Sequence, residues 1–295
     1  MSSSHILCFI YSRLGGDIVG YMDQVSDIMG LDFSDAQKEI IRHKGSPANV
    51  ISCAGSGKTT LLIASLIYRQ LEGSINPEKT CVISFNRTAV DEIENRYKES
   101  VKNLNLEEDI TFKTFHALYY MLLRYYYSID GRELHVLGEG QAMRLFNNAF
   151  YNLSKDKSDE NKEAMWSLRG YVVNNLISSK NQFLQTSKFL TSGVDPEDYF
   201  NVIALYRDLK NEIDAVDFED LQLQTLKLIR DNRDARERVQ QAWEYWFIDE
   251  YQDISRIQMD ILKLSMKDEN NLVTIGDEDQ SIYEFRGSKV DYIVD

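Results

Sequence analysis

A small-residue turn ending in a lysine and two threonines, Ser52-Cys-Ala-Gly-Ser-Gly-Lys-Thr-Thr60, carries the clearest chemistry in this chain. It follows the apolar run Asn49-Val-Ile51 and opens the apolar stretch Leu61-Leu-Ile-Ala-Ser-Leu-Ile67. Strand, glycine loop and helix in that order build a cradle for the phosphates of a nucleoside triphosphate. The glycines let backbone N–H groups close around phosphate oxygens, and the helix N-terminus adds unpaired donors and a positive dipole end. Ala54, Gly55, Ser56, Gly57, Lys58, Thr59 and Thr60 are therefore the candidate nucleotide-binding residues. Lys58 has the reach for the β and γ phosphates, and the Thr59 hydroxyl suits Mg2+. Ser52 stands where the strict pattern has its first glycine, and a chance glycine turn before a helix is the plain alternative.

Two acidic segments further along suit the same substrate. Asp249-Glu-Tyr-Gln-Asp253 follows the apolar run Tyr245-Trp-Phe-Ile248. A carboxylate at such a point can hold Mg2+, directly or through water, and its neighbour can orient and deprotonate an attacking water. Asp249 is assigned to the metal and Glu250 to the base; a solvated helix start, where acids favour the dipole, is the alternative. Gly276-Asp-Glu-Asp-Gln-Ser-Ile-Tyr-Glu-Phe-Arg-Gly287 leaves another apolar run, Asn271-Leu-Val-Thr-Ile275. Within it Gln280 is placed to touch a γ-phosphate or the attacking water. Tyr283, Phe285 and Arg286 form an aromatic and guanidinium cluster suited to stacking on nucleobases, the alternative being a polar loop with a hydrophobic anchor.

The elements that must position these residues read as an α/β fold. Apolar runs at 49–51, 80–85, 109–112, 245–248 and 271–275 alternate with helix-period segments, which argues a parallel, doubly wound sheet flanked by helices. Such sheets bind ligands beyond the carboxyl ends of their strands, where the acids fall. Ser34 can cap a helix through Ala36, Ile40 and Ile41. Residues 117–216 change character: they are rich in aromatics at helical spacing and lack a phosphate-type glycine loop. They read as an inserted all-α subdomain, with Ser154–Glu163 as a solvated loop and Tyr119, Tyr120, Tyr125, Tyr126 and Tyr127 as core. The expected division is an N-terminal extension over 1–30, a nucleotide domain over 31–116 plus 217–295, and the helical insertion over 117–216.

Composition narrows the partners. The 295 residues, 43% hydrophobic, suffice for a real core, and the net charge of −14 supplies no global field for nucleic acid. Any nucleic-acid site must be local, built from stacking and a few cations. Cys8, Cys53 and Cys81 form no C-x-x-C pair and read as reduced thiols of a cytoplasmic protein. No apolar run approaches the roughly 18 residues of a membrane span, and the first ten residues lack the basic flank of a signal peptide.

Taken in order, these segments resemble the superfamily 1A helicases of the UvrD/Rep/PcrA type, over most of residues 31–295. Phe33 to Gln37, with Glu39, is similar to the adenine-reading segment of that family, and Ser52 and Cys53 replace its usual Ala and Gly. Ser84-Phe-Asn-Arg-Thr-Ala-Val-Asp-Glu-Ile93 resembles the motif that pockets a DNA base through Phe85; Asn86 belongs to it, and Arg87 stands in for a lysine common at Thr88. Thr114-Phe-His116 resembles the next single-strand contact, and Val216-Asp-Phe-Glu-Asp-Leu221 the segment that ends the helical insertion. Asp249–Asp253 resembles the Mg2+ motif. Gly276–Gly287 resembles the motif that couples ATP to DNA, with Phe285 where tryptophan is usual.

The resemblance implies a RecA-like domain of an ATP- and Mg2+-dependent motor that moves 3′→5′ on single-stranded DNA and unwinds a 3′-tailed duplex. Gln37 would read adenine. Phe85, Tyr283 and Phe285 would pocket bases, while Thr114, His116 and Arg286 contact bases or backbone. It also implies a second RecA-like domain bearing arginine fingers, each typically worth about 10³–10⁵ in rate. No segment for it is present up to Asp295, so the chain alone is expected to hydrolyse ATP poorly. A truncated, non-catalytic module that binds DNA or a partner protein is the competing reading. A P-loop kinase or another ATPase is a third, which leaves Thr114–His116 and Tyr283–Arg286 unexplained.

Overall fold

The structure, a computed structural model, describes residues 20–51, 57–102, 104, 106 and 109–277. Ala54, Gly55, Ser56, Gln280, Tyr283, Phe285 and Arg286 lie outside those residues, as do Cys8, Cys53 and most of the extension over 1–30. The strands are β1 (Ala48–Ile51), β2 (Thr80–Ser84), β3 (Thr111–Thr114), β4 (His135–Val136), β5 (Ala215–Val216), β6 (Tyr245–Asp249) and β7 (Leu272–Gly276). The helices before the excursion are α1 (Tyr21–Met29), α2 (Asp35–Arg42), α3 (Lys58–Glu72), α4 (Arg87–Val101) and α5 (Phe115–Ile129). The excursion holds α6 (Glu139–Leu153), α7 (Asp159–Asn174), α8 (Lys180–Leu184), α9 (Ser187–Leu190) and α10 (Pro196–Glu212). The return holds α11 (Phe218–Asp231), α12 (Arg233–Ala242) and α13 (Arg256–Ser265).

The expected α/β sheet is present: five parallel strands in the order β1-β7-β6-β2-β3, with helices on both faces. Coverage on both faces explains why its strands are nearly continuous apolar runs. Alternate residues part to opposite sides. Val82, Phe112, Phe247 and Val273 pack with α1–α4, whereas Cys81, Ile83, Trp246 and Ile248 pack with α5, α11, α12 and α13. Burial pushes the Cys81 thiol up, so it is an inert core residue.

The excursion between β3 and β6 has its own apolar core, in which Phe146, Phe150, Met165, Leu168, Tyr199 and Tyr206 are closely packed. Its entrance and exit are clipped together, because β4 pairs with β5 in parallel and Leu137 N–H donates to the Val216 carbonyl at 2.8 Å. Helix α5 belongs elsewhere: Leu118, Tyr119 and Leu123 pack under the main sheet.

Three local expectations differ from the outcome. Strand β3 lies two residues later than the run at 109–112, because its register with β2 pairs Cys81 with Thr111 and Ser84 with Thr114. The stretch Ser154–Glu163 is a loop only to Ser158; Ser158 accepts from Asn161 N–H at 3.2 Å and starts α7, with Asp159 and Glu160 in the first turn where the dipole favours acids. Of the five tyrosines, only Tyr119 is core. The helical turn of α5 carries Tyr120 and Tyr125 outward, beside Met121 and Arg124, and leaves Tyr126 and Tyr127 half-buried. No described helix is long and apolar enough to cross a membrane.

Candidate active site

Because all five strands are parallel, their carboxyl ends share one edge, and nearly every described motif residue falls there. Lys58 follows β1, Phe85 to Arg87 follow β2, Thr114 ends β3, Asp249 ends β6 and Asp277 follows β7. The register aligns those ends, pairing Ile51 with Gly276 and Asp249 with Ile275.

Gly57 enters α3 in the left-handed region (φ 84°), a conformation that favours glycine, and Lys58 is the first helical residue. The Lys58 amine lies 3.7 Å from Glu250 Oε2 and 3.6 Å from Asp277 Oδ2. Thr60 Oγ1 accepts from the Arg96 guanidinium of α4 at 2.8 Å. Glu250 sits at φ 53°, unusual for a side chain with a Cβ, so the chain turns sharply as it leaves β6.

The electrostatics suit a cation. Asp249 is buried, one oxygen accepting from Ser84 Oγ at 3.3 Å while Oδ1 meets no hydrogen-bond partner among the described residues. Burial, and then the neighbouring Glu250 charge, push its carboxyl up to about 6. Asp253 is pushed up to about 6 by the same two causes, and its Oδ1 is likewise buried without a partner. A surplus of carboxylates opposed by one lysine leaves an incompletely neutralised site. The orphaned oxygen of Asp249, a carboxylate that feels the Lys58 charge, therefore fits a divalent ion. Among the described residues no cluster of three or more His, Cys, Asp or Glu is arranged as a metal cage. Mg2+ suits such a place, since it takes one or two protein ligands and fills the rest with phosphate and water.

Several other motif residues already have local duties. Ser34 and Gln37 form a reciprocal capping box, Ser34 N–H donating to Gln37 Oε1 at 2.9 Å and Gln37 N–H to Ser34 Oγ at 3.3 Å. Asn86 Oδ1 caps α4 through Ala89 N–H, and Thr114 Oγ1 caps α5 through Ala117 N–H. Arg87 projects into solvent, 3.8 Å from Asp91. The His116 ring packs edge-on to Phe218, 5.3 Å between centroids, and Phe218 is exposed. Phe85 is half-buried where β2 ends. Asp277, Asp253, Gln252, Arg96 and Phe218 were not singled out from the sequence. Only the acids had a signal there, their place just beyond strand ends.

A family profile described as the UvrD/REP helicase N-terminal domain matches residues 33–295. The chain is 28% identical to the ATP-dependent DNA helicase Rep of Buchnera aphidicola subsp. Baizongia pistaciae, over 88% of this chain and 37% of that protein. It is 28% identical to the ATP-dependent DNA helicase PcrA of Bacillus subtilis, over 92% of this chain and 36% of that protein. A probable DNA helicase II homolog of Mycoplasma capricolum is 25% identical, over 92% of this chain and 37% of that protein. The chain thus spans little more than a third of the length of these relatives.

Proposed function

Because the chain belongs to the UvrD/REP helicase family through its N-terminal domain, we propose that it binds Mg·ATP at the strand-end edge and couples ATP hydrolysis to movement on single-stranded DNA. The relatives named ATP-dependent DNA helicases support this reading. The observation that carries it is the convergence of Lys58 with Glu250 and Asp277, amine to carboxylates at 3.7 and 3.6 Å. These residues come from three separate strand ends, and a triphosphate is the substrate that needs all three.

In this reading Lys58 leaves its two carboxylates for the β and γ phosphates, while the N–H groups around Gly57 and the start of α3 hold phosphate oxygens. Thr59 and Asp249 would hold Mg2+, which neutralises phosphate charge when bound. Glu250, one-third exposed on its side chain, takes the proton of the attacking water. Gln37 reads the adenine through the part of its amide not used in the cap. Phe85, Asn86, Arg87, Thr114 and His116 face single-stranded DNA along the same edge, where stacking serves any base sequence. Gln280, Tyr283, Phe285 and Arg286 belong to the same proposal. The reading also calls for a second surface, in cis or in trans, that supplies arginine fingers to the γ-phosphate. We take the helical insertion as the residues between β4 and β5, with α5 counted to the nucleotide domain.

Lys58→Ala is the direct test. Charged hydrogen bonds contribute roughly 1.5–3 kcal/mol each, so fluorescent-ATP titration should give binding about 10- to 100-fold weaker. Unchanged affinity would contradict the reading. The direction of movement has its own check, the unwinding of tailed duplexes at low salt, where phosphate contacts are strongest. With that second surface supplied, a 3′-tailed duplex should open and a 5′-tailed one should not; the reverse preference defeats the assignment of polarity.

A further inference from the structure

The geometry points to Gln252 as the positioning residue that fixes the Glu250 carboxylate and ties it to the exit of β7. The inference rests on the reading of Glu250 as the base. Gln252 lies in the single 3-10 turn Tyr251–Asp253 after β6, and it is buried. Its Nε2 donates to Glu250 Oε2 at 2.6 Å, and its Oε1 accepts from Asp277 N–H at 3.0 Å. With Lys58 the contacts close a ring: the amine faces the same Glu250 oxygen and the Asp277 carboxylate.

Chemistry leaves little choice for this position. One neighbour, the Glu250 carboxylate, only accepts; the other, the Asp277 N–H, only donates. A primary amide satisfies both at once, and its orientation is fixed because the flipped amide would present the wrong atom to each. A glutamate there could not donate when ionised and would add another charge to a site already rich in carboxylates.

Gly276 makes the approach possible. A Cβ built on it would lie 2.5 Å from Gln252 Oε1 and 3.3 Å from the backbone nitrogens of Gln252 and Tyr251. Its backbone is not in the left-handed region, so the glycine is required by crowding alone. When Lys58 turns to phosphate, Glu250 gives up its amine contact, and the Gln252 amide is the described group still holding Oε2 in place. Oε1 is then left to face the water. The same amide grips the main chain where β7 ends, so the position of Glu250 and that of the Asp277 backbone are coupled.

Gln252→Met keeps the volume and removes both hydrogen bonds. Loss of alignment at a catalytic group can cost about 10²-fold, so kcat for DNA-dependent ATP hydrolysis should fall about 10- to 100-fold. The KM for ATP and ATP affinity should stay near those of the parent, and the melting temperature should fall modestly, because the buried Asp277 N–H loses its acceptor. Gly276→Ala should give the same pattern, and the double variant should be little worse than either single one, because both break one contact. With Gln252 and Gly276 unchanged, the Gln252 side-chain amide NMR signal should differ between the parent and a Glu250→Gln variant, a readout that needs no turnover. Either single variant turning over normally, fully additive losses, or an unmoved amide signal overturns the inference. If Lys58→Ala leaves ATP binding intact, the proposed function itself fails; if Lys58→Ala weakens binding and Gln252→Met is silent, only this inference does.

Discussion

A Glu250→Gln exchange should lower DNA-dependent ATP turnover by about 10²–10⁴-fold, the range a positioned general base contributes, while Mg·ATP still binds. The substitution keeps size and replaces a proton acceptor by a neutral amide that cannot take the proton of water. Binding should survive because Lys58, Gly57 and the N-terminus of α3 are untouched. It can even tighten, since the Glu250 charge 3.7 Å from Lys58 no longer competes with phosphate for the amine. Among the acids of the site Glu250 is best placed for this work. Asp249 is tied to Ser84 and feels the Lys58 charge, at the place proposed for the ion. Asp253 is the nearest substitute: it is half-buried, its carboxyl is raised to about 6 by burial and by Glu250, and it feels Lys58. Single-turnover hydrolysis measured alongside ATP affinity separates the cases. Turnover within about threefold of the parent, far below the loss expected for a base, removes Glu250 from that role and turns attention to Asp253.

What could be read from the sequence was what local chemistry dictates. Tyr245-Trp-Phe-Ile248 had to be a strand covered on both faces, and the acids after it had to emerge at its carboxyl end. The same holds for β1, β2 and β7, so the edge that gathers Lys58, Asp249, Glu250 and Asp277 follows from parallel order alone. Pairwise partners could not be read in this way. Nothing local says that Gln252 grips the main chain at Asp277, 25 residues on, or that Gly276 leaves room for it. Nor does Arg96 announce its bond to Thr60, 36 residues earlier. Residues picked for ligand contact also proved to serve as caps, because the small polar side chains that touch DNA and nucleotides are the ones that satisfy helix N-termini. Gln37, Asn86 and Thr114 each do so here. In Val216-Asp-Phe-Glu-Asp-Leu221 the order of residues marked the end of the insertion, but its energetic meaning depends on side chains far away in sequence.

That meaning gives the largest expected stability effect. Asp217→Asn should destabilise the fold by about 3–5 kcal/mol, the cost of leaving buried partners of an ion pair uncompensated. Asp217 Oδ2 accepts from Arg169 of α7 at 2.6 Å, from Lys210 of α10 at 2.7 Å and from the Tyr206 hydroxyl at 2.7 Å. Arg169 also pairs with Glu219 at 2.7 Å, and Lys210 with Asp220. Both cations are almost fully buried, with 8% and 4% of their side chains exposed. At the same time Asp217 caps α11 through Asp220 N–H at 3.0 Å. One carboxylate therefore fastens the core of the excursion to the helix that brings the chain back to the sheet. Burial alone would raise this carboxyl, but Arg169, Lys210 and the hydrogen bonds more than reverse it, and it sits well below the ordinary range. Asp220 shifts upward, by burial and by the Asp217 charge. A depressed carboxyl stabilises the folded state above its unfolded pKa, about 3.9, and that share is lost as pH falls towards the folded value. The parent should thus lose stability below about pH 4 by this route, and Asp217→Asn should flatten that part of the acid limb while lowering the plateau at neutral pH. Urea unfolding at pH 7 and across the acid range measures both. A loss under about 1 kcal/mol, the scale of an exposed pair, would mean that water reaches the cluster and that the excursion is held by its apolar core alone.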